Sequence, residues 1–415
     1  MSTAIVFRWF IGGLVLSFAL VSLRAHAQEA PLRLGRAEVA ELARSRSPDV
    51  IVATRRVGES RGQLVGAEVL LRQSPWLDVA AGPRFRPNDT IPDAEVTLGM
   101  PLEIYGRRGA EIDAARGAIA RDEAFVGTSQ QQALAEALTA YYRALRATAE
   151  DRWARQQLDL TTALLRTAER RRDAGEIGDP DVALLRVSAA RARRAVTTTE
   201  ANREMSVTAL KGILGIPGDR SVEVTGELGS VSSEFTDALV RMAPTDRPEI
   251  VAADAALRAS RLDVDAEQRA AWPVPVLRTT YQREEGNNVF LLGIGLPLPI
   301  FQRNQGPIAI AQARTQRLEA EREALAIRID AEVRVARRRY QAALAGLHIL
   351  ETDAIPAIED GLRLTQRAFE LGQSDLTRVL VVQRELADTR REQFDALVEL
   401  ADAGISLQRA LGVLR

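Results

Sequence analysis

Apolar residues recur at intervals of about seven along two long stretches of the chain in which proline is scarce. In the second stretch, the residues with this spacing are Leu318 and Leu325, followed by Val333, Tyr340 and Leu347. An apolar residue at every seventh position is typical of a helix that packs lengthwise against another helix. The pattern predicts long helices over residues 106–173 and 305–371, the second interrupted at Pro356.

Both long stretches end in a glycine-containing turn that is followed by helix-start signals. Asp179-Pro180 follows the first turn and Ser374 follows the second. Aspartate and serine side chains can cap free backbone N–H groups, and proline suits the first helical position. We therefore expect return helices over residues 180–214 and 375–411, each antiparallel to its long helix.

Shorter apolar-rich runs, separated by polar tips, precede each long helix, which is a hairpin signal. They predict four strands, at about residues 76–86, 94–104, 274–283 and 289–300. Short helices, from Pro48 to about Gln73 and from Pro248 to about Ala271, come before the strands. Strands of about ten residues suit a tilted membrane strand, but that length suits a small soluble hairpin equally well.

The chain contains the same unit twice. The segment Pro101–Arg107 returns 196 positions later as Pro297–Arg303, and Gly175 returns 197 positions later as Gly372. Units of this size are far longer than the repeats of about 20–50 residues that build solenoids, so they indicate one tandem duplication. The predicted organisation is a first repeat at 28–214, a linker at 215–247 with a short helix near Phe235–Met242, and a second repeat at 248–415.

Charge and cysteine content exclude several classes of function. The 415 residues carry a formal net charge of −1, whereas a nucleic-acid-binding protein usually shows a basic surface. Cysteine is absent, which excludes disulfides and thiolate metal sites.

The first 27 residues resemble a cleaved secretory signal. Arg8 precedes the apolar run Trp9–Val21, and Ala25-His26-Ala27 is a small-x-small cleavage site before Gln28. A membrane anchor is the alternative, but such a run is shorter than the roughly 20 residues that cross a bilayer. We expect an exported chain that is not lipidated through an N-terminal cysteine.

The side chains that usually carry catalysis or metal binding are scarce. Beyond the signal sequence the only histidine is His348, and a tight zinc or cobalt site normally combines histidine, cysteine and carboxylates. No phosphate-binding glycine loop, Ser-His-Asp set or metalloprotease motif is present. The sequence predicts neither an enzyme nor a bound cofactor or metal, and no selection of a cargo by coordination.

Four membrane-length strands are too few to close a barrel, since the smallest closed form has about eight. An open sheet in lipid would leave backbone groups unpaired, each at a cost of several kcal/mol. If these strands enter a membrane, several chains must therefore share one barrel, and three chains would supply twelve strands. A helix over residues 106–173 is about 100 Å long at 1.5 Å per residue, so the helices would form a tube of that depth.

The chain resembles the TolC family of outer-membrane efflux proteins over essentially its whole length after the signal sequence. The resemblance is carried by Pro101–Ala110, by Leu296–Gly306 with its Arg-Asn-Gln-Gly ending, and by the glycine tips with Val182 and Val379. It looks most like the CzcC branch, the outer-membrane component of cation efflux systems.

The resemblance implies a mainly α fold with a small transmembrane β part. Duplicated helical hairpins would form a periplasmic tube, and four strands per chain would contribute to a twelve-stranded barrel in outer-membrane lipid. The implied partners are two further copies of the chain in a homotrimer, a periplasmic adaptor protein and an inner-membrane RND-type pump.

The family's motifs place Gly175 and Gly372 at periplasmic tips that meet the adaptor. The neighbouring residues expected in that contact are Ala174, Glu176, Leu371 and Gln373. Asp181 matches a position where family members often carry an aspartate at the closed aperture, but the second repeat has Arg378 there. One hypothesis is that Asp181 and Arg378 pair across the closed aperture; the other is that Asp181 only stabilises the first turn of its helix.

Alternatives remain open both for the cargo and for the class of protein. Heavy-metal cations of the cobalt, zinc and cadmium type are the first expectation, against drugs, organic solutes or secreted polypeptides. A soluble periplasmic coiled-coil adaptor is an alternative from another class, although its single hairpin would not explain two repeats with strand pairs. A secreted hydrolase is a third, and the missing site chemistry counts against it.

Overall fold

The computed structural model describes residues 30–87, 89–230, 247–371 and 373–414. The predicted signal sequence at 1–27 and the short helix predicted near Phe235–Met242 lie outside the described residues. Within the described residues the chain is mainly helical with a small β component, which confirms the predicted fold class.

Both repeats contain a short helix, two strands, a long helix and a return helix in the same order. The elements of the first repeat and linker are β1 (Leu32–Leu34), α1 (Arg36–Arg46), α2 (Pro48–Ala67), β2 (Trp76–Arg86), β3 (Asp89–Pro101), α3 (Arg107–Asp173), α4 (Asp179–Ile213), β4 (Val222–Val224) and a 3-10 turn at Leu228–Ser230. Those of the second repeat are α5 (Pro248–Arg269), β5 (Val276–Glu284), β6 (Asn287–Gly295), α6 (Gln305–Ile349), a π-helical turn (Leu350–Ala354), α7 (Ile355–Glu370) and α8 (Leu376–Leu411).

The strand boundaries differ from the prediction where turns and prolines decide them. Strand β3 begins at Asp89 rather than 94, so much of the predicted polar tip belongs to the strand. Strand β6 ends at Gly295 rather than 300, because Pro297 and Pro299 have no N–H for a strand ladder. The second tip is a two-residue turn in which Glu285 and Gly286 both have positive φ, 54° and 83°, as tight hairpin turns require.

The return helices also begin at residues other than the predicted ones. Helix α4 begins at Asp179 with Gly178 as the preceding cap residue, so Asp179 lies within the first turn and makes no side-chain cap. Helix α8 is capped by Asp375 rather than Ser374: the backbone N–H of Arg378 donates to Asp375 Oδ1 at 2.8 Å. In both helices the first turn starts one residue away from the predicted position.

The linker contains a strand that the sequence pattern did not predict. Strand β4 pairs in parallel with β1, so that Leu32 lies opposite Val222 and Leu34 opposite Val224. Strands of three residues are too short to show a period, and their partner is almost 200 positions away. Tyr141 Oη donates to the Thr225 carbonyl at 2.8 Å and so attaches this small sheet to α3.

The main core lies where α3 and α8 pack together beside α6. The middle of α3 contributes Leu134, Leu138 and Tyr142, and the end of α8 contributes Leu400 and Leu407, all fully buried. The seven-residue pattern on α6 is confirmed here, since Val333, Tyr340 and Leu347 are buried in the same core.

A buried ion-pair network fixes the start of the second repeat. Arg247 is 4% exposed, and its guanidinium donates to Glu332 at 2.7 Å and to Glu249 at 2.9 Å. Burial alone would raise the pKa of Glu249, but the hydrogen bonds from Arg247, a backbone hydrogen bond and the charges of Arg247 and Arg409 together outweigh burial and hold that pKa below its usual value. The network joins the start of α5 to α6.

A π-helical turn accommodates a difference of one residue between the two long helices. The motif before each long helix repeats at an offset of 196, but the residues after the tips repeat at 197, so the second long helix has one extra residue. A π turn holds one residue more than an α turn and leaves the flanking helix in phase. The turn at Leu350–Ala354 is where α6 takes up that residue.

Candidate functional site: the sheet faces and the helical tips

Four strands form one antiparallel sheet in the order β2-β3-β5-β6, which joins the hairpins of the two repeats. Within a repeat Val79 lies opposite Val96, and between the repeats Val96 lies opposite Tyr281. The register of each pair therefore places side chains of the same character in rows across the sheet. Each long helix follows directly after the second strand of its hairpin.

One face of the sheet is apolar and exposed. Six side chains on this face are between 64% and 80% exposed, and they are Leu77, Val79, Phe85, Phe290, Leu292 and Ile294. Because side chains alternate between the two faces of a strand, the register assigns Val96, Leu98 and Tyr281 to the same face. An exposed apolar area of this kind requires an apolar environment or a partner.

The opposite face is polar and partly lined by glycine. Asp78, Thr97 and Thr280 form one row, and the hydroxyls of Thr97 and Thr280 lie 2.8 Å apart. Trp76 lies flat across Gly99, where a Cβ would come within 2.2 Å of the indole. The Arg278 guanidinium lies 5.6 Å from the centre of the Trp76 ring.

A charged cluster closes the outer end of this polar face. Arg84 donates to Asp93 at 2.5 Å, to Glu284 at 2.6 Å and to Glu285 at 3.1 Å. Arg86 adds a second bond to Glu285 at 2.9 Å. Arg84 thus ties the hairpin of the first repeat to that of the second with one guanidinium. The sequence pattern did not predict this cluster, because Glu284 and Glu285 lie about 200 positions from Arg84 and only the register of the strands brings them together.

The first helical tip is a glycine-dependent helix end. Gly175 has φ of +76°; its N–H donates to the Arg172 carbonyl at 2.8 Å, and the Glu176 N–H donates to the Arg171 carbonyl at 2.9 Å. This pattern requires a left-handed residue, which glycine adopts without strain. Ala174, Gly175 and Glu176 are all exposed, so the surface predicted for adaptor contact is accessible in the single chain.

The second tip has the same form over the residues that are described. The Gln373 N–H donates to the Ala368 carbonyl at 2.8 Å, and Gly372 lies outside the described residues. Leu371 is 59% exposed and Gln373 is exposed.

The two tips pack against each other through a small apolar cluster. Ala168 and Val182 from the first hairpin and Leu376 from the second are buried, with Leu185 beside them. The Arg171 guanidinium lies 5.5 Å from the centre of the Phe369 ring and bonds to Glu176 at 3.0 Å. The hairpins are therefore held together by burial and by one shared arginine.

A groove of about 170 Å³ opens between the tips. Asp181 and Asp375 both line it, together with Arg171, Leu185 and Leu376. Arg378 is exposed, and among the described residues no ion pair joins it to Asp181. Asp181 thus shares this groove with Asp375, a residue that the sequence pattern had not indicated. Asp375 could have been found from its position one residue after Ser374, where the second return helix was predicted to begin.

The part of the chain that the structure describes contains neither a membrane-spanning helix nor a clustered metal site. No helix among the described residues is long and apolar enough to cross a membrane. In those residues no group of three or more histidine, cysteine, aspartate or glutamate side chains is arranged to hold a metal ion. His348 is exposed on α6, and its carbonyl accepts from Thr352 at 2.9 Å.

Comparison with known sequences identifies the family. Residues 84–216 and 239–413 match the family model of the outer membrane efflux protein. The cobalt-zinc-cadmium resistance protein CzcC of Cupriavidus metallidurans is 24% identical over 317 residues, 76% of either chain. Protein CyaE of Bordetella pertussis is 28% identical over 273 residues, 61% of this chain and 58% of that protein.

Solved structures share the fold. CusC, whose structures describe transmembrane channel formation, superimposes with a TM-score of 0.72 at 19% identity, covering 94% of this chain and 95% of CusC. The outer membrane protein VceC of Vibrio cholerae gives 0.69 at 20% identity, covering 91% and 96%. These findings confirm the resemblance to TolC-like efflux channels and the prediction that the chain is not an enzyme. With both repeats matched by one family model, the chain belongs to the outer membrane efflux protein family.

Proposed function

We propose that three copies of the chain form the passive outer-membrane exit duct of a tripartite efflux system. The observation that carries this proposal is the four-stranded sheet with one exposed apolar face and one charged face. It precedes a continuous helix of 67 residues, which is about 100 Å long. Four strands leave two open edges, and an open edge in lipid is too costly to persist. Three copies would close a twelve-stranded barrel with the polar face inside.

The exposed tips are the surfaces for a periplasmic adaptor, which would link the duct to an inner-membrane RND-type pump. Ala174, Gly175 and Glu176 on one hairpin and Leu371, Gly372 and Gln373 on the other would form the contact. The exposure of the described members of this set supports docking there. The chain would be exported, with residues 1–27 removed and Gln28 as the first residue of the mature protein.

Heavy-metal cations of the cobalt, zinc and cadmium type are the proposed cargo. The name of the CzcC relative supports this choice. The described residues offer no cluster that could coordinate a metal ion, so the pump and adaptor would select the cargo and the duct would provide a water-filled path.

Asp181 and Arg378 are the proposed aperture residues. They would pair between hairpins in the closed state and separate when the aperture opens. Conductance of Arg378→Ala in planar bilayers tests this pairing: the variant should show a higher open probability than the wild type, and an unchanged conductance and open probability would contradict it.

A deletion strain complemented with variants tests the duct. We expect the deletion to raise sensitivity to zinc, cobalt or cadmium and the wild-type chain to restore resistance. Leu371→Glu, at an exposed tip, should fail to restore it although the protein reaches the outer membrane as a trimer. Leu160→Glu is the matched control, since Leu160 is 57% exposed but lies about 20 Å up the helix from the tip.

The alternatives give different outcomes in the same strains. Sensitivity to drugs or organic solutes with unchanged cation resistance would favour the other cargo classes. A mature protein that is monomeric in water without detergent would favour a soluble periplasmic adaptor and would contradict the duct.

A further inference from the structure

A tryptophan and an arginine meet over a glycine on the polar face of the sheet, near the end that leads into the long helices. Trp76 lies opposite Gly99, and Gly99 lies opposite Arg278 on its other side. Trp76 is the first residue of β2, and Gly99 is two residues before the end of β3. In the proposed duct this row of residues lines the lumen where the barrel meets the helical tube.

The indole, and not the backbone, explains the glycine at position 99. Gly99 belongs to a regular strand and does not have the positive φ that favours glycine. It is buried although its neighbours Leu98 and Met100 are exposed, because the Trp76 ring covers it. A Cβ at position 99 would overlap three atoms of that ring, so even alanine would force the ring to move.

The second repeat has the glycine without the large ring. The pair Val276–Gly295 corresponds to the pair Trp76–Gly99. A Cβ added at Gly295 would make only ordinary contacts, at 3.7 Å or more. The close fit between a ring and a glycine is therefore particular to the first repeat, and a trimer would have three such rings.

Arg278 holds the Trp76 ring from a second side. Its guanidinium lies 5.6 Å from the centre of the ring, a distance at which a cation is attracted to an indole. This contact reaches across β3 and joins the hairpin of the first repeat to that of the second. Gly99 and Arg278 together keep the ring against the sheet, where Trp76 is 37% exposed.

We propose that Trp76 sets the width of the duct where the barrel meets the tube, and that Gly99 is the positioning residue that keeps this layer wide. A ring that cannot lie on position 99 must project into the lumen, because side chains of a strand stand roughly perpendicular to the sheet. Three copies would bring three rings into one layer. The inference rests on the proposed trimeric duct and names the residue that limits the size of the solutes it passes.

Single-channel conductance in planar bilayers tests this role. Gly99→Ala should lower the conductance about twofold, because three displaced rings narrow the same layer. The double variant with Gly99→Ala and Trp76→Ala should return the conductance to the wild-type level. Gly293→Ala is the matched control and should leave the conductance unchanged: Gly293 lies opposite Arg278 in the same row, and nothing lies within 4 Å of a Cβ added there.

Tryptophan fluorescence measures the position of the ring without the need for a channel. Replacing Trp153 and Trp272 by phenylalanine leaves Trp76 as the only tryptophan after the predicted signal sequence. In the detergent-purified protein, Gly99→Ala should raise the quenching of Trp76 by acrylamide about twofold, because the ring must adopt a more exposed rotamer.

The possible failures can be told apart. A wild-type protein that forms no channels contradicts the duct itself. If the wild type conducts, an unchanged conductance of Gly99→Ala, or a reduction that persists in the double variant, overturns the role of Trp76 and leaves the duct intact. Unchanged quenching overturns it even where Gly99→Ala forms no channels. A lower free energy of unfolding with wild-type conductance would show that the ring on the glycine only stabilises the sheet.

Discussion

Deleting Thr352 tests whether the π-helical turn holds the one extra residue of the second repeat. Thr352 is exposed, and its hydroxyl bonds only to its own helix, to the His348 carbonyl at 2.9 Å and to Asp353 at 2.9 Å. Without it the turn can close as an α turn while α7 keeps its orientation. We expect the free energy of unfolding to change by less than about 1 kcal/mol.

The matched deletion is that of Gln156, the equivalent exposed residue on α3, which is one continuous α-helix. Removing it turns the rest of α3 by about 100° and shortens it by about 1.5 Å. Ala168 then no longer faces Val182, Leu185 and Leu376. Loss of burial for these three larger side chains corresponds to about 4.5–9 kcal/mol, at about 1.5–3 kcal/mol each.

Urea unfolding of the detergent-purified proteins, followed by far-UV circular dichroism, measures the difference. Limited proteolysis adds a local measurement, since the tip of the Gln156 deletion should be cut much faster than the tip of the wild type. If the Thr352 deletion destabilises the protein as much as the Gln156 deletion, the π turn is not the site of the extra residue.

Three further predictions follow from the charged groups. Arg247→Ala should lower the free energy of unfolding by about 3 kcal/mol because it leaves two carboxylates without their buried cation, whereas Arg261→Ala, which removes an exposed pair, should cost less than about 1 kcal/mol in the same urea assay. The pKa of Glu249 lies below its usual value, so its stabilisation is present above about pH 4.5 and is lost as the pH falls further; Glu249→Gln should therefore lose less unfolding free energy than the wild type between about pH 7 and pH 3.5, and an equal loss would contradict the assignment. Arg84→Gln removes one positive charge from the polar face and leaves Asp93 and Glu284 without their guanidinium partner, while Glu285 keeps Arg86. It should raise cation over anion permeability, measured as a shifted reversal potential in planar bilayers under a salt gradient; an unshifted potential would show that this face does not line the path.

The long helices illustrate what periodicity can predict. The spacing of Val333, Tyr340 and Leu347 predicted a continuous buried seam, because residues seven apart lie two turns apart on the same side of the helix and face the same neighbour. The same apolar spacing does not reveal where one residue is inserted, because a π turn holds the extra residue and keeps the rest of the helix in phase. The offset change from 196 to 197 was visible in the sequence, but the place where the extra residue is taken up was not.

At the tips, too, the turn could be predicted from the sequence but the contacts between the hairpins could not. Glycine at position 175 follows from the left-handed conformation that ends the helix, so the turn could be predicted locally. The contact between Arg171 and Phe369, and the shared groove that holds Asp181 and Asp375, join residues almost 200 positions apart. No local pattern specifies such pairs, because they depend on how the two hairpins pack.

By itself the sequence determined the duplication, the helix and strand types and the family, since these depend on local periodicity, on turn residues and on repeated motifs. Only the tertiary structure decided the β1–β4 pair, the groove shared by Asp181 and Asp375, and the charged cluster around Arg84. Each of these is set by the register or the packing of segments distant in the chain, and a difference of one residue in register changes which side chains meet.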